Sequence, residues 1–164
     1  MSDTDRLLLD AMLGKLATYL RMCGYDAAYV LDAREEGREE ATPPPQNDPS
    51  DDEILQWARE TGRTLVTRDV DLADRAADAV LLSSRDLREQ LREVREAGYD
   101  LSLADPPVRC GACNGELRAV DPEESLPQYA PDPAETDCWR CRACGQVFWQ
   151  GSHWDDVAAT LAEI

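Results

Sequence analysis

Lysine is almost missing from this chain: Lys15 is the single one among 17 basic residues, set against 34 Asp and Glu in 164 positions, for a formal net charge of −17. Histidine and phenylalanine occur once each, as His153 and Phe148. No apolar run approaches the roughly 20 residues that cross a bilayer, so no membrane span is expected. The opening Met-Ser-Asp-Thr-Asp lacks the basic and apolar regions of a signal peptide, and a cytoplasmic location is expected. The shortage of clustered Lys and Arg argues against a nucleic-acid partner gripped by a basic patch. That argument weakens because the acids are spread evenly, with 24 against 13 bases up to residue 105 and ten against four beyond it. An evenly acidic, lysine-poor surface is similar to those of salt-in halophiles, so a halophilic archaeal source is expected. Molar salt would screen repulsion from a polyanion within a few ångströms.

Cysteine, by contrast, is concentrated. Five of the six lie beyond residue 109, in a region poor in large aliphatic residues, where metal ligation can supply folding energy that a thin core cannot. Cys110-Gly-Ala-Cys113 and Cys141-Arg-Ala-Cys144 are two CxxC pairs, the spacing of a structural tetrahedral zinc site. In a reducing compartment such pairs are metal ligands rather than disulfides. Cys138 makes a second, overlapping CxxC with Cys141. A knuckle needs a residue able to turn back after its second cysteine; Asn114-Gly115 and Gly145 supply it, whereas Arg142 follows Cys141. The expected zinc ligands are therefore Cys110, Cys113, Cys141 and Cys144, with Cys138 spare and Cys23 alone in a helix.

Along the chain, strand and helix alternate, which implies a parallel sheet with right-handed crossovers and an α/β fold. Strands are expected at 6–11, 27–31, 64–67 and 79–83, and helices at 13–22, from Ser50-Asp51-Asp52-Glu53 to Gly62, and over 86–97. The acidic stretch 34–50, with Pro43-Pro44-Pro45, reads as a solvated insertion. Asp105-Pro106-Pro107 marks a boundary, giving units of 1–105 and 106–164. The second unit carries a proline-rich loop over 122–133, a strand at Val147-Phe148-Trp149 and a helix from about Trp154. No internal repeat is present.

In an open parallel sheet, the carboxyl ends of the strands share one edge, where active crevices lie. Asp10 ends the first strand, Asp69 and Asp71 follow the third, and Asp51 opens the helix before it. Carboxylates gathered there repel one another unless a cation sits among them, so they suit Mg²⁺ or Mn²⁺. Asp51 and Asp71 also suit plain helix caps. Lys15 and Arg68 lie near the same edge and are candidates for holding phosphate or for ordinary surface charge.

Three stretches carry a resemblance: Leu9-Asp10-Ala11-Met12-Leu13-Gly14-Lys15-Leu16-Ala17, Leu20-Arg21-Met22-Cys23-Gly24-Tyr25-Asp26 and Gly62-Arg63-Thr64-Leu65-Val66-Thr67-Arg68-Asp69. They resemble the Mut-seven C-terminal RNase domain, a PIN-like ribonuclease family. The segments around Arg109-Cys110, Trp139-Arg140-Cys141 and Trp149-Gln150-Gly151-Ser152-His153-Trp154 resemble the zinc ribbon that accompanies it. The resemblance implies a PIN-like three-layer domain, then a zinc ribbon with a C-terminal helix. It implies a metal-dependent endoribonuclease acting on RNA, with Asp10 and Asp69 as principal Mg²⁺ or Mn²⁺ ligands. Asp51 is the second acid, with Asp52 and Glu53 as adjacent candidates, and Asp71 a fourth. The alternative is a non-catalytic RNA-binding or ribosome-associated module whose acidic edge holds no metal. An aspartyl-phosphate chemistry is disfavoured because Asp10-Ala11-Met12 lacks a second acid. No membrane and no small-molecule cofactor are expected, and one chain names no antitoxin.

His153 sits between Trp149 and Trp154, which suit packing of a small metal-bound unit as well as base stacking. Arg85, Arg88, Arg92 and Arg95 share a helical face with glutamates nearby, which reads as a solvated ion-pair face.

Overall fold

The computed structural model describes residues 6–32 and 49–164; the proposed insertion lies outside them up to residue 48. Four short strands, β1 (Arg6–Leu9), β2 (Asp26–Tyr29), β3 (Thr64–Thr67) and β4 (Ala79–Leu81), form one sheet in the order β2-β1-β3-β4. Every pairing in it is parallel. Helices α1 (Gly14–Met22), α2 (Asp51–Thr61), α3 (Val70–Arg75) and α4 (Leu87–Glu96) occupy the connections.

The alternation of side chains along a strand divides the core in two. Leu7, Leu9 and Val66 face a cluster with Leu13, Leu16 and Leu20 of the α1 region and Leu91 and Val94 of α4. Leu8 and Leu65 face the opposite way, onto Ile54, Leu55 and Ala58 of α2 and Leu72 of α3. The result is three layers with helices on both faces, the arrangement that parallel strands buried on both sides require. β1 and β3 are central, and their apolar runs are the most completely buried residues of the sheet.

Beyond residue 105 the chain forms a second, antiparallel sheet, β5 (Leu117–Ala119), β6 (Cys138–Cys141) and β7 (Val147–Trp149), in that order. Helix α5 (Ser152–Glu163) returns to the first layer, where Leu161 and Ile164 pack against the α1/α4 cluster. Arg88 pairs with Glu163, Arg92 with Glu89, and Arg95 Nη1 donates to the Ile164 carbonyl at 2.7 Å. Arg88 and Arg92 thus form the ion pairs expected of this face, one of them with α5, while Arg95 donates to a carbonyl and Arg85 precedes the helix. No helix among the described residues is long and apolar enough to cross a membrane.

The segment around the first CxxC covers the outer edge of β2. Ala27 N–H donates to Asn114 Oδ1 at 2.9 Å, and Asn114 Nδ2 donates to Asp26 Oδ1 at 2.6 Å. Arg21, buried in α1, donates from Nη1 to the Gly111 carbonyl at 3.1 Å and from Nε to the Ala27 carbonyl at 2.8 Å. An unpaired strand edge is an aggregation hazard; here the knuckle satisfies it.

Candidate active edge and metal centre

Because β1 to β4 run the same way, their carboxyl ends meet along one edge, and the chain leaves β1 and β3 there at Asp10 and Arg68-Asp69. Asp10 is 7 % exposed and continues the ladder through its N–H to the Val66 carbonyl at 3.0 Å. Its Oδ1 accepts from Ala11 N–H at 2.7 Å, and its Oδ2 accepts from Thr67 Oγ1 at 2.6 Å. A buried carboxylate without such donors would carry a large desolvation cost. The Thr67 hydroxyl also accepts from Asp69 N–H at 3.0 Å. One fully buried hydroxyl therefore joins the Asp10 carboxylate to the backbone of Asp69.

Asp69 is the N-cap of α3, its Oδ1 accepting from Leu72 N–H at 3.2 Å. The cap of this helix is thus Asp69, and exposed Asp71, in the first turn, does not serve as one. Similarly, Ser50 caps α2, its hydroxyl accepting from Glu53 N–H while the Glu53 carboxylate accepts from Ser50 N–H, a capping box. Glu53 is occupied in that box, and Asp52 pairs with Arg75 of α3. Of the three adjacent acids, Asp51 is left without such a duty, exposed in the first turn of α2. Since α2 enters β3 through the turn Gly62-Arg63, Asp51 lies at the helix end away from the amino ends of the strands.

The structure brings Asp10 and Asp69 together through Thr67. It does not draw Asp51 and Asp71 into one tight group with them: among the described residues, the group of three or more candidate ligands drawn close is formed by cysteines. Lys15 is exposed in the first turn of α1, a helix with no side-chain cap. Arg68 Nη1 lies 3.5 Å from Met12 Sδ, and its buried Nε has no hydrogen-bond acceptor among the described residues.

Two residues at this edge escaped the sequence reading. Thr67 had one signal, a hydroxyl residue ending an otherwise apolar strand before Arg68-Asp69. Tyr29, at the end of β2, donates its hydroxyl to the Ala11 carbonyl and fastens the loop after Asp10. A Cβ on Gly14 would stand 3.3 Å from the Tyr29 ring, so glycine suits the start of α1.

The metal centre is more sharply drawn. The Sγ atoms of Cys110, Cys113, Cys141 and Cys144 all lie within 4.8 Å of one another, with Cys110 and Cys144 3.7 Å apart and Cys113 and Cys141 3.5 Å apart. A tetrahedron of sulfurs about 2.3 Å from zinc has edges of about 3.8 Å, so the four cysteines can hold one zinc ion, in a frame compatible with a zinc ribbon. Asn114 (φ 72°) and Gly145 (φ 79°) take the left-handed conformation after each knuckle. Gly115 is required by close approach, since a Cβ there would meet Cys141 Sγ at 2.7 Å. Cys138 points elsewhere, its Sγ donating to the Thr136 carbonyl at 3.4 Å.

In the metal-free thiols, burial pushes Cys110 up to about 11 and Cys113 further up. Burial would also raise Cys141, but N–H groups of Cys144 and Ala143, each 3.4 Å from its sulfur, hold it below the ordinary range. With every sulfur engaged on one ion, such a quartet would leave no position for substrate, the arrangement of a structural site. Cys23 follows α1 as its C-cap, half-buried, with its thiol pushed up to about 12 by burial and by Asp100.

Neither the curated proteins nor the solved structures gave a match to this chain. The acidic strand ends and the cysteine frame nevertheless fall together within one family description: the Mut7-C RNAse domain matches residues 5–161, nearly the whole chain, and the chain belongs to that family.

Proposed function

We propose that the protein is a metal-dependent endoribonuclease that hydrolyses RNA phosphodiesters at the carboxyl edge of its parallel sheet. Residues 1–105 would form a PIN-like nuclease unit, and 106–164 a zinc ribbon that braces it. Family membership supports a ribonuclease-like activity. The observation that carries the site is the Thr67 hydroxyl, which holds Asp10 and Asp69 side by side where the two central strands end.

The donors there suit a hard divalent cation. Asp10 accepts one hydrogen bond on each oxygen and Asp69 accepts one on Oδ1, which leaves further lone pairs on both carboxylates. Asp10 and Asp69 would be the principal ligands of Mg²⁺ or Mn²⁺, with Asp51 and Asp71 completing the acidic rim. When bound, such an ion orients a phosphodiester and lowers the pKa of the attacking water. Thr67 keeps the Asp10 carboxylate in a single orientation, the usual task of a group behind a metal ligand. Lys15 and Arg68 would hold the substrate phosphate. The unpartnered Arg68 Nε is a buried donor whose desolvation an anionic oxygen would offset.

Chelating the divalent ion under conditions that leave zinc bound should abolish cleavage of labelled RNA, with activity restored by Mn²⁺. Cleavage that survives excess chelator would contradict the mechanism.

A further inference from the structure

A cleft of about 260 Å³ lies where the cysteine-bearing unit meets α1. It is lined by Thr18 and Met22 of α1, by the knuckle residues Gly111 and Ala112, and by Phe148, Trp149, His153 and Trp154. Arg109 and Gln146 add polar groups. Asp and Glu make up 34 of the 164 residues, yet among the described residues none lines this cleft, whereas an arginine and the one histidine of the chain do. On so acidic a protein, that departure marks a place where an anion-bearing ligand meets less repulsion than elsewhere on the surface.

From these features we infer that the cleft is a base-binding subsite for one unpaired nucleotide of RNA, lying beside the cleavage site. Its volume falls just below the roughly 300–1,000 Å³ of drug-sized ligand sites, a size suited to a single planar base. Trp149 has one face stacked on Tyr129, with centroids 6.3 Å apart and planes at 29°, so this ring is held in place before a ligand arrives. Trp154 and Phe148 are half-buried, and His153 is exposed at the rim. Aromatic faces accept any base, while Gln146 and His153 supply donors for base edges or the flanking phosphate, and Arg109, held by the Asn114 carbonyl and Asp26, adds positive charge.

Helix α1 starts at the proposed active edge, just after β1, and its residues Thr18 and Met22 line the cleft. Lys15, Thr18 and Met22 are spaced i, i+3 and i+7 and share one face of that helix. Lys15 stands in its first turn, and Met22 is about 10 Å further along its axis. A single strand whose phosphate sits near Lys15 can therefore lay a neighbouring base in the cleft. The inference deepens the proposed function and rests on it for the identity of the ligand.

The test uses the full chain carrying Asp69→Asn, so that the probe survives, and a fluorescein-labelled single-stranded RNA of about eight nucleotides. A matched oligomer with sugars and phosphates but no bases serves as the control. Ala112→Glu, at an exposed knuckle position, adds an acid to the cleft without touching the core, and Trp154→Ala removes a stacking surface. Each variant should weaken binding of the base-bearing RNA by about fivefold or more and retain zinc; Trp154→Ala should leave the baseless oligomer unaffected, and Ala112→Glu, whose charge also meets phosphate, should weaken it by a smaller factor. If Trp154→Ala loses zinc, Ala112→Glu decides alone. Unchanged affinity for both oligomers, or equal loss for both, overturns the subsite. Cleavage by the chain with native Asp69 is scored separately. RNA bound through the cleft but never cut would sink the nuclease reading and leave the subsite standing. Normal cleavage with both variants binding as the parent would do the reverse.

Discussion

Thr67 Oγ1 lies 2.6 Å from Asp10 Oδ2 and 3.0 Å from Asp69 N, and Thr67 is fully buried. Valine would keep its shape and strand preference while removing the bond to both aspartates. We expect Thr67→Val to fold, and to lower cleavage or the affinity for Mn²⁺ by about 10- to 100-fold, the usual effect of losing a group that orients a metal ligand; steady-state rates against Mn²⁺ concentration measure it. At the cysteine centre, Gly115→Ala places a methyl 2.7 Å from Cys141 Sγ and 3.0 Å from Ala143 Cβ. The knuckle must shift, so the variant should bind substoichiometric zinc and melt at a lower temperature than wild type, as metal analysis and thermal unfolding would show. The four-cysteine cluster was legible in the sequence because a CxxC spacing and its turn residue are local. The Asp10–Thr67–Asp69 link was not, because it joins residues 57 positions apart.

Among elements, the strands show where local pattern suffices. Thr64–Thr67 and Val147–Trp149 coincide with their sequence readings, and α1 and α4 agree within a residue. The strand expected at 79–83 stops at Leu81, because Glu93 accepts from Ser83 N–H at 2.9 Å and from Ser84 N–H at 3.4 Å. The strand expected at 6–11 stops at Leu9, because the Asp10 carboxylate takes Ala11 N–H. Both endings are set by side chains claiming backbone donors, which hydrophobic periodicity cannot report. β5 and β6 passed unseen because their pairing spans the proline-rich loop. At β2, Asp26 joins Arg63 (2.8 Å), Asn114 and Arg109. Burial would raise its pKa, but hydrogen bonds from Arg63 and Asn114 and the arginine charges hold it below the usual range. A depressed folded value stabilises the protein above the unfolded pKa near 3.9 and is lost as pH falls through the folded one. Melting temperature should therefore drop as pH falls below about 4, and Asp26→Asn should make that drop shallower.

At the scale of the whole molecule, the cysteine frame is bound to the α/β layers by hydrogen bonds rather than by a flexible tether. Arg21 and Thr18 of α1 both donate to the Gly111 carbonyl, and Asn114 seals the edge of β2. α5 closes the assembly by packing onto the α1/α4 face. The cysteine frame is thus tied to the helix that follows Asp10 and to the edge of β2. An even charge of −17 sets the conditions for a fair test, since molar salt screens the repulsion of RNA. The most direct measurement is cleavage of a mixed set of labelled RNAs in molar KCl with Mn²⁺, comparing wild type with Asp69→Asn. We predict specific cleavage by the wild type and its loss in the variant, with zinc content and melting temperature little changed. Cleavage at equal rates by both, or by neither while both are folded and zinc-loaded, would contradict a nuclease centred on Asp10 and Asp69.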